Sequence, residues 1–227
     1  MTIRVCVSIP PKTFDEAVEL IEQAEIEHAD LIEVRLDSLN KHDHIREIPL
    51  CSKTPLIATN KSIAFNGNFS GSEIERQKVL ADAARNGFEY VDVDLATPNK
   101  LELIRRLQET GAKVIVSFHD FEQTPTMSQL NNILEEEIAL GADVCKIITT
   151  ARSMKDNLTT LDFVSAASMK VKLVCFAMGD LGKHSRLVSP VFGAFFTFAS
   201  LNQKRKTAKG QLTIQEMNKA YEALGLK

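Results

Sequence analysis

The chain has 227 residues, of which 44% are hydrophobic and 25% charged, and its formal net charge at pH 7 is −3. This length suits one large domain or two small ones, with a composition typical of a soluble globular protein. A chain without a basic excess is not expected to bind nucleic acid. It begins with a charged strand and has no apolar run approaching 18 residues, so we expect no signal peptide, no membrane contact and a cytoplasmic location.

The predicted elements alternate between strand and helix along the whole chain. Strands are predicted at 3–9, 30–36, 55–59, 90–95, 113–118, 143–149, 171–176 and 193–198. Helices are predicted between most of them, at 13–28, 72–86, 99–110, 128–140 and 153–168, with a last one at 213–224. Thr13 with Glu16, and Thr213 with Glu216, have the spacing of a capping box at a helix start.

About eight strand–helix units predict an α/β fold, the (β/α)₈ barrel, in one domain spanning 1–227. A doubly wound open sheet is the competing architecture, because alternation alone does not separate the two. The strand count favours the barrel, as do polar residues near the carboxyl ends of several strands. Pro10-Pro11 follows the first strand, where a dinucleotide-binding sheet would have a G-x-G-x-x-G turn.

Ionisable residues recur at alternate positions of the predicted strands. Side chains two apart on a strand share a face, so Glu33 and Arg35 point the same way, as do Asp92 and Asp94. If the apolar faces pack on the outer helices, these side chains enter the barrel interior together with His119 and Lys146. Lys61 continues the inward face of Thr59. So many ionisable groups in one interior are costly unless they are paired and functional.

Lys146 lies in the middle of a short, β-branched strand, and two interpretations of it are open. It is either a salt-bridged lysine in a polar interior or an amine kept partly neutral, able to attack a carbonyl and form a Schiff base. Glu33 and Arg35 could form a structural ion pair with Asp92 or Asp94. His119 could be a core histidine, but its place at the end of a strand favours function, because barrel enzymes carry their catalytic groups at that edge.

No metal or other cofactor is predicted. The cysteines and histidines show no zinc-ligand spacing, and His42 and His44 lie in a polar loop where solvation is the simpler interpretation. The four widely spaced cysteines are expected to be reduced thiols. After the seventh strand, a glycine-rich turn leads into a helix that carries Arg186, a side chain suited to holding a carboxylate or phosphate.

These motifs, taken in order, resemble the type I 3-dehydroquinate dehydratases over nearly the whole chain. The matching segments are Glu33-Val34-Arg35-Leu36-Asp37, Ser117-Phe118-His119-Asp120-Phe121, Lys146-Ile147, Met178-Gly179 through Ser185-Arg186, and Gly210-Gln211. The resemblance implies a (β/α)₈ barrel that works without metal through a lysine Schiff base. It also implies a homodimer.

The resemblance assigns roles to individual residues. Lys146 is expected to be the Schiff-base lysine and His119 the proton-transfer group, with Glu33 assisting or orienting His119. Substrate-binding residues are expected to be Arg35, Lys61, Met178, Arg186, Phe198, Thr207 and Gln211, the last two in a lid loop at 203–211. The chain has Lys61 where the family usually has arginine, and Thr207 and Lys209 where the lid often has serine and proline.

The expected activity is dehydration of 3-dehydroquinate to 3-dehydroshikimate in the shikimate pathway of aromatic amino acid biosynthesis. A class I aldolase or transaldolase-like lyase is the alternative enzyme, because it also uses a barrel lysine. A non-catalytic barrel that binds a small acid is the alternative outside enzymes, if Lys61 spoils the site.

Overall fold

The computed structural model describes residues 3–227 as eight parallel strands alternating with helices. The strands are β1 (Val5–Ile9), β2 (Leu31–Arg35), β3 (Leu56–Thr59), β4 (Tyr90–Asp94), β5 (Lys113–His119), β6 (Val144–Thr150), β7 (Leu173–Met178) and β8 (Thr197–Ser200). The helices are α1 (Phe14–Ile26), α2 (Glu73–Arg85), α3 (Lys100–Gln108), α4 (Met127–Ala139), α5 (Met154–Ala167), α6 (Lys183–Val188) and α7 (Ile214–Ala223).

Helix starts follow the local capping chemistry. The Thr13 hydroxyl accepts a hydrogen bond from the Glu16 amide, and Thr213 and Glu216 form a complete capping box, so both predicted helix starts are confirmed. Ala17, Leu20, Ile21 and Ala24 form the buried face of α1 at helical spacing. Capping fixes where each helix begins, and its apolar stripe fixes how it lies against the sheet.

The strands form a nearly closed barrel in the order β7-β6-β5-β4-β3-β2-β1-β8. All ladders are parallel, and β8 returns to pair with β1 through Val5 opposite Thr197. Beside the remaining seam, the Phe195 amide donates to the Leu173 carbonyl at 2.7 Å. The prediction of a (β/α)₈ barrel is confirmed, and the open sheet is excluded.

Alternation along each strand divides the core into an inner and an outer layer. Cys6, Leu31, Ile57, Tyr90, Ile115, Val144 and Phe196 belong to a cluster inside the barrel. Ile32, Val34 and Leu36 instead pack with helix residues such as Leu20 and Ile21 in the outer cluster. The inner apolar layer closes the barrel below Glu33, Asp92 and Lys146, so these charged side chains lie toward the carboxyl ends of the strands.

Some predicted element bounds were wrong. β8 begins at Thr197 rather than 193, because its ladder starts where β1 offers a partner and not where the apolar run starts. β7 is displaced by two residues, to Leu173–Met178, for the same reason. The segment between β2 and β3 contains two short 3₁₀ turns, Leu36–Ser38 and Ile48–Cys51, and no α-helix. Within residues 3–227, no helix is both long and apolar enough to span a membrane.

Candidate active site

A cavity of about 530 Å³ opens at the carboxyl ends of the strands. Its size is that of a pocket for a small molecule. All ten side chains assigned from the sequence line it or lie directly against it: Glu33, Arg35, Lys61, His119, Lys146, Met178, Arg186, Phe198, Thr207 and Gln211. They come from five strands, helix α6 and two loops, so only the closed barrel brings them together.

Lys146 projects from the middle of β6 into the cavity wall and is 5% exposed. Its Nζ donates to Asp92 Oδ2 at 2.8 Å and lies 3.5 Å from Glu33 Oε1. The same Nζ lies 4.5 Å from the centre of the Phe198 ring, which shields it on the apolar side. The amine is therefore largely buried, with two carboxylates and an aromatic ring beside it.

The surroundings of Lys146 determine whether its amine is charged. Burial alone would lower the pKa of Lys146, but Asp92 and Glu33 outweigh that effect and raise the pKa above its ordinary value. Of the two interpretations, the salt-bridged lysine therefore describes the unliganded protein, where Lys146 is an ammonium in an ion pair. It must lose a proton before it can act as a nucleophile.

Asp92 lies between Lys146 and Lys61 and contacts both ammonium groups. Its Oδ2 binds Lys146, and its Oδ1 lies 2.8 Å from Nζ of Lys61. The Ser117 hydroxyl also donates to Oδ1, at 2.8 Å. Although burial opposes it, the charges of Lys146 and Lys61 hold the pKa of Asp92 far below its ordinary value. Asp92 is thus a permanent carboxylate shared by two lysines.

His119 ends β5 and lines the cavity, with its ring stacked on Phe121 at a centroid distance of 5.7 Å. Burial, followed by the charges of Lys61 and Lys146, lowers the pKa of His119 well below 6.5. The imidazole is therefore neutral at pH 7 and has a free nitrogen to accept a proton. Its ring is half-buried and lines the cavity, so His119 does not lie in the apolar core.

Glu33 does not contact His119 in this structure, although we expected it to assist or orient that ring. Its Oε1 accepts from Thr59 Oγ1 at 2.9 Å, and its Oε2 accepts from the Ser8 hydroxyl. Oε1 also faces the ammonium of Lys146. The carboxylate is fixed by strands on both sides of β2, and its nearest functional partner is the lysine.

Arg35 pairs with neither aspartate of β4, contrary to one alternative from the sequence. Its Nε and Nη2 donate to the two carboxylate oxygens of Asp37 at 2.9 and 2.7 Å. Asp37 also accepts from the backbone amides of Lys61 and Asn68. This buried carboxylate fixes Arg35 at the cavity wall and ties the end of β2 to the loop after β3.

Arg186 is 1% exposed and has few partners for a buried guanidinium. Its Cζ lies 4.2 Å from the centre of the Phe176 ring, and Nη1 donates to the Phe198 carbonyl at 3.4 Å. Nε and Nη2 have no hydrogen-bond partner within the described part of the chain. Burial lowers the pKa of Arg186 to about 9, which still leaves it charged at pH 7. The cavity wall thus contains a cation with two donors free for an anion.

The loop at 203–211 lies along the cavity edge. Gln211 Oε1 accepts from the Thr207 amide at 2.8 Å and from its hydroxyl at 3.3 Å, which closes the loop on itself. The Gly179 amide donates to the Lys209 carbonyl, and a side chain at Gly210 would collide with the Gly179 carbonyl. The backbone φ of Gly210 is +71°, a conformation that favours glycine. Position 210 therefore requires glycine both for its backbone conformation and for lack of space. Glycine there lets the loop rest on the turn after β7.

Sequence reasoning missed several cavity-lining residues, among them Phe65, Asn66, Phe121, Ala208 and Lys209. Phe121 and Ala208 stood inside motifs that had been recognised, so the motifs themselves were the available signal. Phe65 and Asn66 lie in the loop after β3, where no pattern marked them. The described residues contain no group of three or more His, Cys, Asp or Glu side chains able to hold a metal ion.

The fold and the cavity define the kind of protein. A buried lysine, a neutral imidazole and a guanidinium with two unpaired donors line one cavity at the carboxyl ends of the strands, the edge where barrel enzymes carry their active sites. The family model of type I 3-dehydroquinase matches residues 5–227, and the chain belongs to this family of hydro-lyases. The expectation of a lyase that eliminates water is thereby confirmed.

Curated proteins named 3-dehydroquinate dehydratase are similar to this chain over most of their length. A 3-dehydroquinate dehydratase of Dehalococcoides mccartyi (strain 195) is 38% identical over 198 residues, covering 87% of each chain. One from Methanosarcina barkeri is 34% identical over 221 residues, covering 92% of this chain and 91% of the relative. The crystal structure of 3-dehydroquinate dehydratase from Geobacillus kaustophilus superposes with a TM-score of 0.92 at 24% identity, covering 99% of this chain and 92% of that one. That superposition describes the shared fold.

Proposed function

We propose that this protein converts 3-dehydroquinate to 3-dehydroshikimate, a step of the shikimate pathway of aromatic amino acid biosynthesis, through an imine on Lys146. The observation that carries the proposal is the buried lysine in the wall of a cavity that also contains the unpartnered guanidinium of Arg186. A ketone that carries a carboxylate can engage both groups at once. Membership of the hydro-lyase family supports the same reaction type.

The first step joins Lys146 to the substrate. The ammonium gives up a proton, for which the neutral imidazole of His119 is the available acceptor in the cavity. The free amine adds to the ketone carbon. His119 then returns the proton to the resulting hydroxyl, which leaves as water, so a protonated imine forms and the imidazole is neutral again. Asp92 and Glu33, which stabilise the ammonium, then stabilise the positive charge of the imine at the same place.

The second step removes the proton and the hydroxyl. The protonated imine draws electrons from the neighbouring C–H bond, and His119 takes that proton to leave an enamine. Electrons of the enamine then expel the hydroxyl on the next carbon, and His119 returns its proton so that water departs. Addition of water to the imine releases the unsaturated ketone and restores Lys146.

Binding groups around the cavity set the orientation of the substrate. Arg186 offers Nε and Nη2 to the carboxylate, which fixes the ring relative to Lys146. Thr207 and Gln211 border the opening as a lid that excludes bulk water from the imine. Arg35, held by Asp37, and the apolar surfaces of Met178 and Phe198 complete the walls.

The two alternative functions have less support. An aldolase would also use a barrel lysine, but family membership favours dehydration. A binding protein without activity would require Lys61 to disrupt the site. Lys61 instead forms an ion pair beneath the cavity, which leaves the space in front of Lys146 open.

The test is turnover of 3-dehydroquinate by the purified protein, followed by the absorbance of the conjugated product. We expect activity in the wild type and a loss of about 10²–10⁴-fold in His119→Ala, the usual contribution of a positioned acid–base group. His42→Ala, in a polar loop outside the cavity, is the matched control and should leave turnover unchanged. A wild type that binds the substrate without releasing product would exclude this function.

The family resemblance is also the basis for proposing a homodimer in the cytoplasm. Analytical ultracentrifugation gives the molar mass in solution directly, and a single species of one chain would contradict the dimer.

A further inference from the structure

The ammonium of Lys61 contacts three buried side chains at the floor of the cavity. Its Nζ lies 2.8 Å from Asp92 Oδ1, 3.0 Å from Asp94 Oδ2 and 2.8 Å from Ser117 Oγ. The contacts with Asp94 and Ser117 are hydrogen bonds, and Asp92 adds an ion pair. The side chain is 6% exposed, so it forms part of the cavity floor with its ammonium held by these three buried groups.

Asp92 connects Lys61 to the reacting lysine. One carboxylate oxygen binds each ammonium, both at 2.8 Å, and the Ser117 hydroxyl donates to the oxygen on the Lys61 side. All four side chains are buried, so this arrangement is poorly screened by solvent. A change of charge at Lys61 therefore acts strongly on the other groups.

We propose, on the basis of the function proposed above, that Lys61 is a positioning residue that acts on the reaction through Asp92 and not by contact with the substrate. By sharing the carboxylate, it offsets part of the negative charge that would otherwise act on Lys146 alone. Its own positive charge also faces the imidazole of His119. Lys61 thereby favours the free amine and the neutral ring that the first steps require.

The charges around His119 make this role specific. The cations that act on its ring are Lys61, Lys146 and Arg35, and the opposing anion is Asp92. After burial, Lys61 is the largest contributor to the lowered pKa of His119. The other carboxylates of the cluster are Glu33 on β2, which accepts from Thr59 and faces Lys146, and Asp94 on β4, which pairs with Lys61.

Loss of the Lys61 charge would thus change the pKa of two groups that take part in forming the imine. The pKa of His119 would rise toward its ordinary value, so less neutral imidazole would be present to take a proton. The pKa of Lys146, already raised by Asp92 and Glu33, would rise further because Asp92 would have no second cation. Both changes slow formation of the imine and neither removes a substrate contact. The expected effect is on kcat and its pH dependence, with little change in KM.

The experiment compares Lys61→Met with Lys61→Arg, which preserves the charge. The imidazoles are titrated by NMR in protein with ¹³C-labelled histidine, and the His119 signal is assigned from its absence in His119→Gln. We expect the pKa of His119 to rise in Lys61→Met and to stay near the wild-type value in Lys61→Arg. The acid side of the kcat profile should move to higher pH, with a loss of about tenfold or more near pH 6 in Lys61→Met only.

The opposite pattern would overturn the proposal: an unchanged His119 titration together with a raised KM would make Lys61 a substrate contact. Should Lys61→Met fail to fold, Lys61→Met combined with Asp94→Asn removes one anion as well, and the same titration applies. The NMR measurement needs no turnover. A wild type inactive on 3-dehydroquinate would therefore count against the proposed function and leave the test of Lys61 intact.

Discussion

At the residue scale, Arg186 is a buried charge whose hydrogen bonds are incomplete in the unliganded protein. A buried guanidinium with two unpaired donors is unfavourable, and here only a Phe176 ring and one backbone carbonyl offset the cost. The pKa of Arg186, lowered to about 9 by burial, expresses the same cost. Such a group is retained where a ligand completes its hydrogen bonds.

Arg186→Met should weaken substrate binding and stabilise the unliganded protein. We expect KM for 3-dehydroquinate to rise about 10–100-fold, since a hydrogen bond to a charged group contributes roughly 1.5–3 kcal/mol. The free energy of unfolding should rise by about 1–3 kcal/mol, because methionine keeps the contact with Phe176 and leaves no buried donor unpaired. Denaturant titration without substrate measures the second effect. Arg106→Gln, on the exposed face of α3, is the control. A less stable variant with unchanged KM would refute this account of Arg186.

At the residue scale, the sequence predicted which side chains face the interior but not how they pair. Alternation along β2, β4, β5 and β6 correctly placed Glu33, Asp92, His119 and Lys146 inside. Pairing depends on stagger between strands and on side-chain reach, and neither can be obtained from one strand alone. Arg35 thus pairs with Asp37, two residues further along the chain, and not with an aspartate of β4.

At the scale of elements, α4 and β6 meet through a buried acid that sequence patterns did not reveal. Glu137 is fully buried on α4, and its Oε2 accepts from the backbone amide of Lys146 at 3.1 Å. Its Oε1 has no partner within residues 3–227. Burial raises the pKa of Glu137 well above its ordinary 4.5 and so favours the neutral side chain. Helical periodicity predicts apolar residues on the buried face of α4. A glutamate in the sequence is therefore assigned to the exposed face, and Glu137 is missed.

The raised pKa of Glu137 predicts a free energy of unfolding that depends on pH. Between the ordinary pKa of 4.5 and the raised folded-state pKa, the unfolded chain releases a proton that the folded protein keeps, so stability falls as pH rises. Glu137→Gln cannot titrate. Its free energy of unfolding relative to the wild type should therefore increase with pH above 4.5, by about 1 kcal/mol or more.

Denaturant titrations of Glu137→Gln and wild type at several pH values between 4.5 and 8 give this difference. Glu136→Gln is the matched control, because its neighbouring carboxylate lies on the exposed side of α4 and pairs with Lys100. A difference between Glu137→Gln and wild type that stays constant over this pH range would mean that Glu137 is ionised in the folded protein.

The predicted strands and helices were mostly correct because each carries a local signal. Capping threonines marked helix starts, and β-branched runs marked strands. The errors fell at β7 and β8, where the strand bounds follow from the register with a neighbour. An apolar run such as Ala194–Phe198 shows that a segment is buried and does not show where its ladder begins.

At the scale of the whole molecule, closure of the barrel makes the site. The cavity takes side chains from strands at both ends of the sequence, and β8 must pair with β1 before Phe198 can face Lys146. Strand count and alternation were enough to predict this closure. The shape of the cavity was not predictable, because it also depends on the loop after β3 and on the lid resting at Gly179.

The central claim is that the reaction proceeds through an imine on Lys146, and chemical trapping tests it most directly. The protein is treated with borohydride in the presence of 3-dehydroquinate, digested and analysed by mass spectrometry. A stable mass increment should appear on the peptide that contains Lys146, and only when substrate is present. Lys155→Ala, which removes an exposed lysine of α5, should be trapped like the wild type, whereas Lys146→Ala should be neither trapped nor active. An increment on another lysine, or none from protein that turns over, would contradict the account.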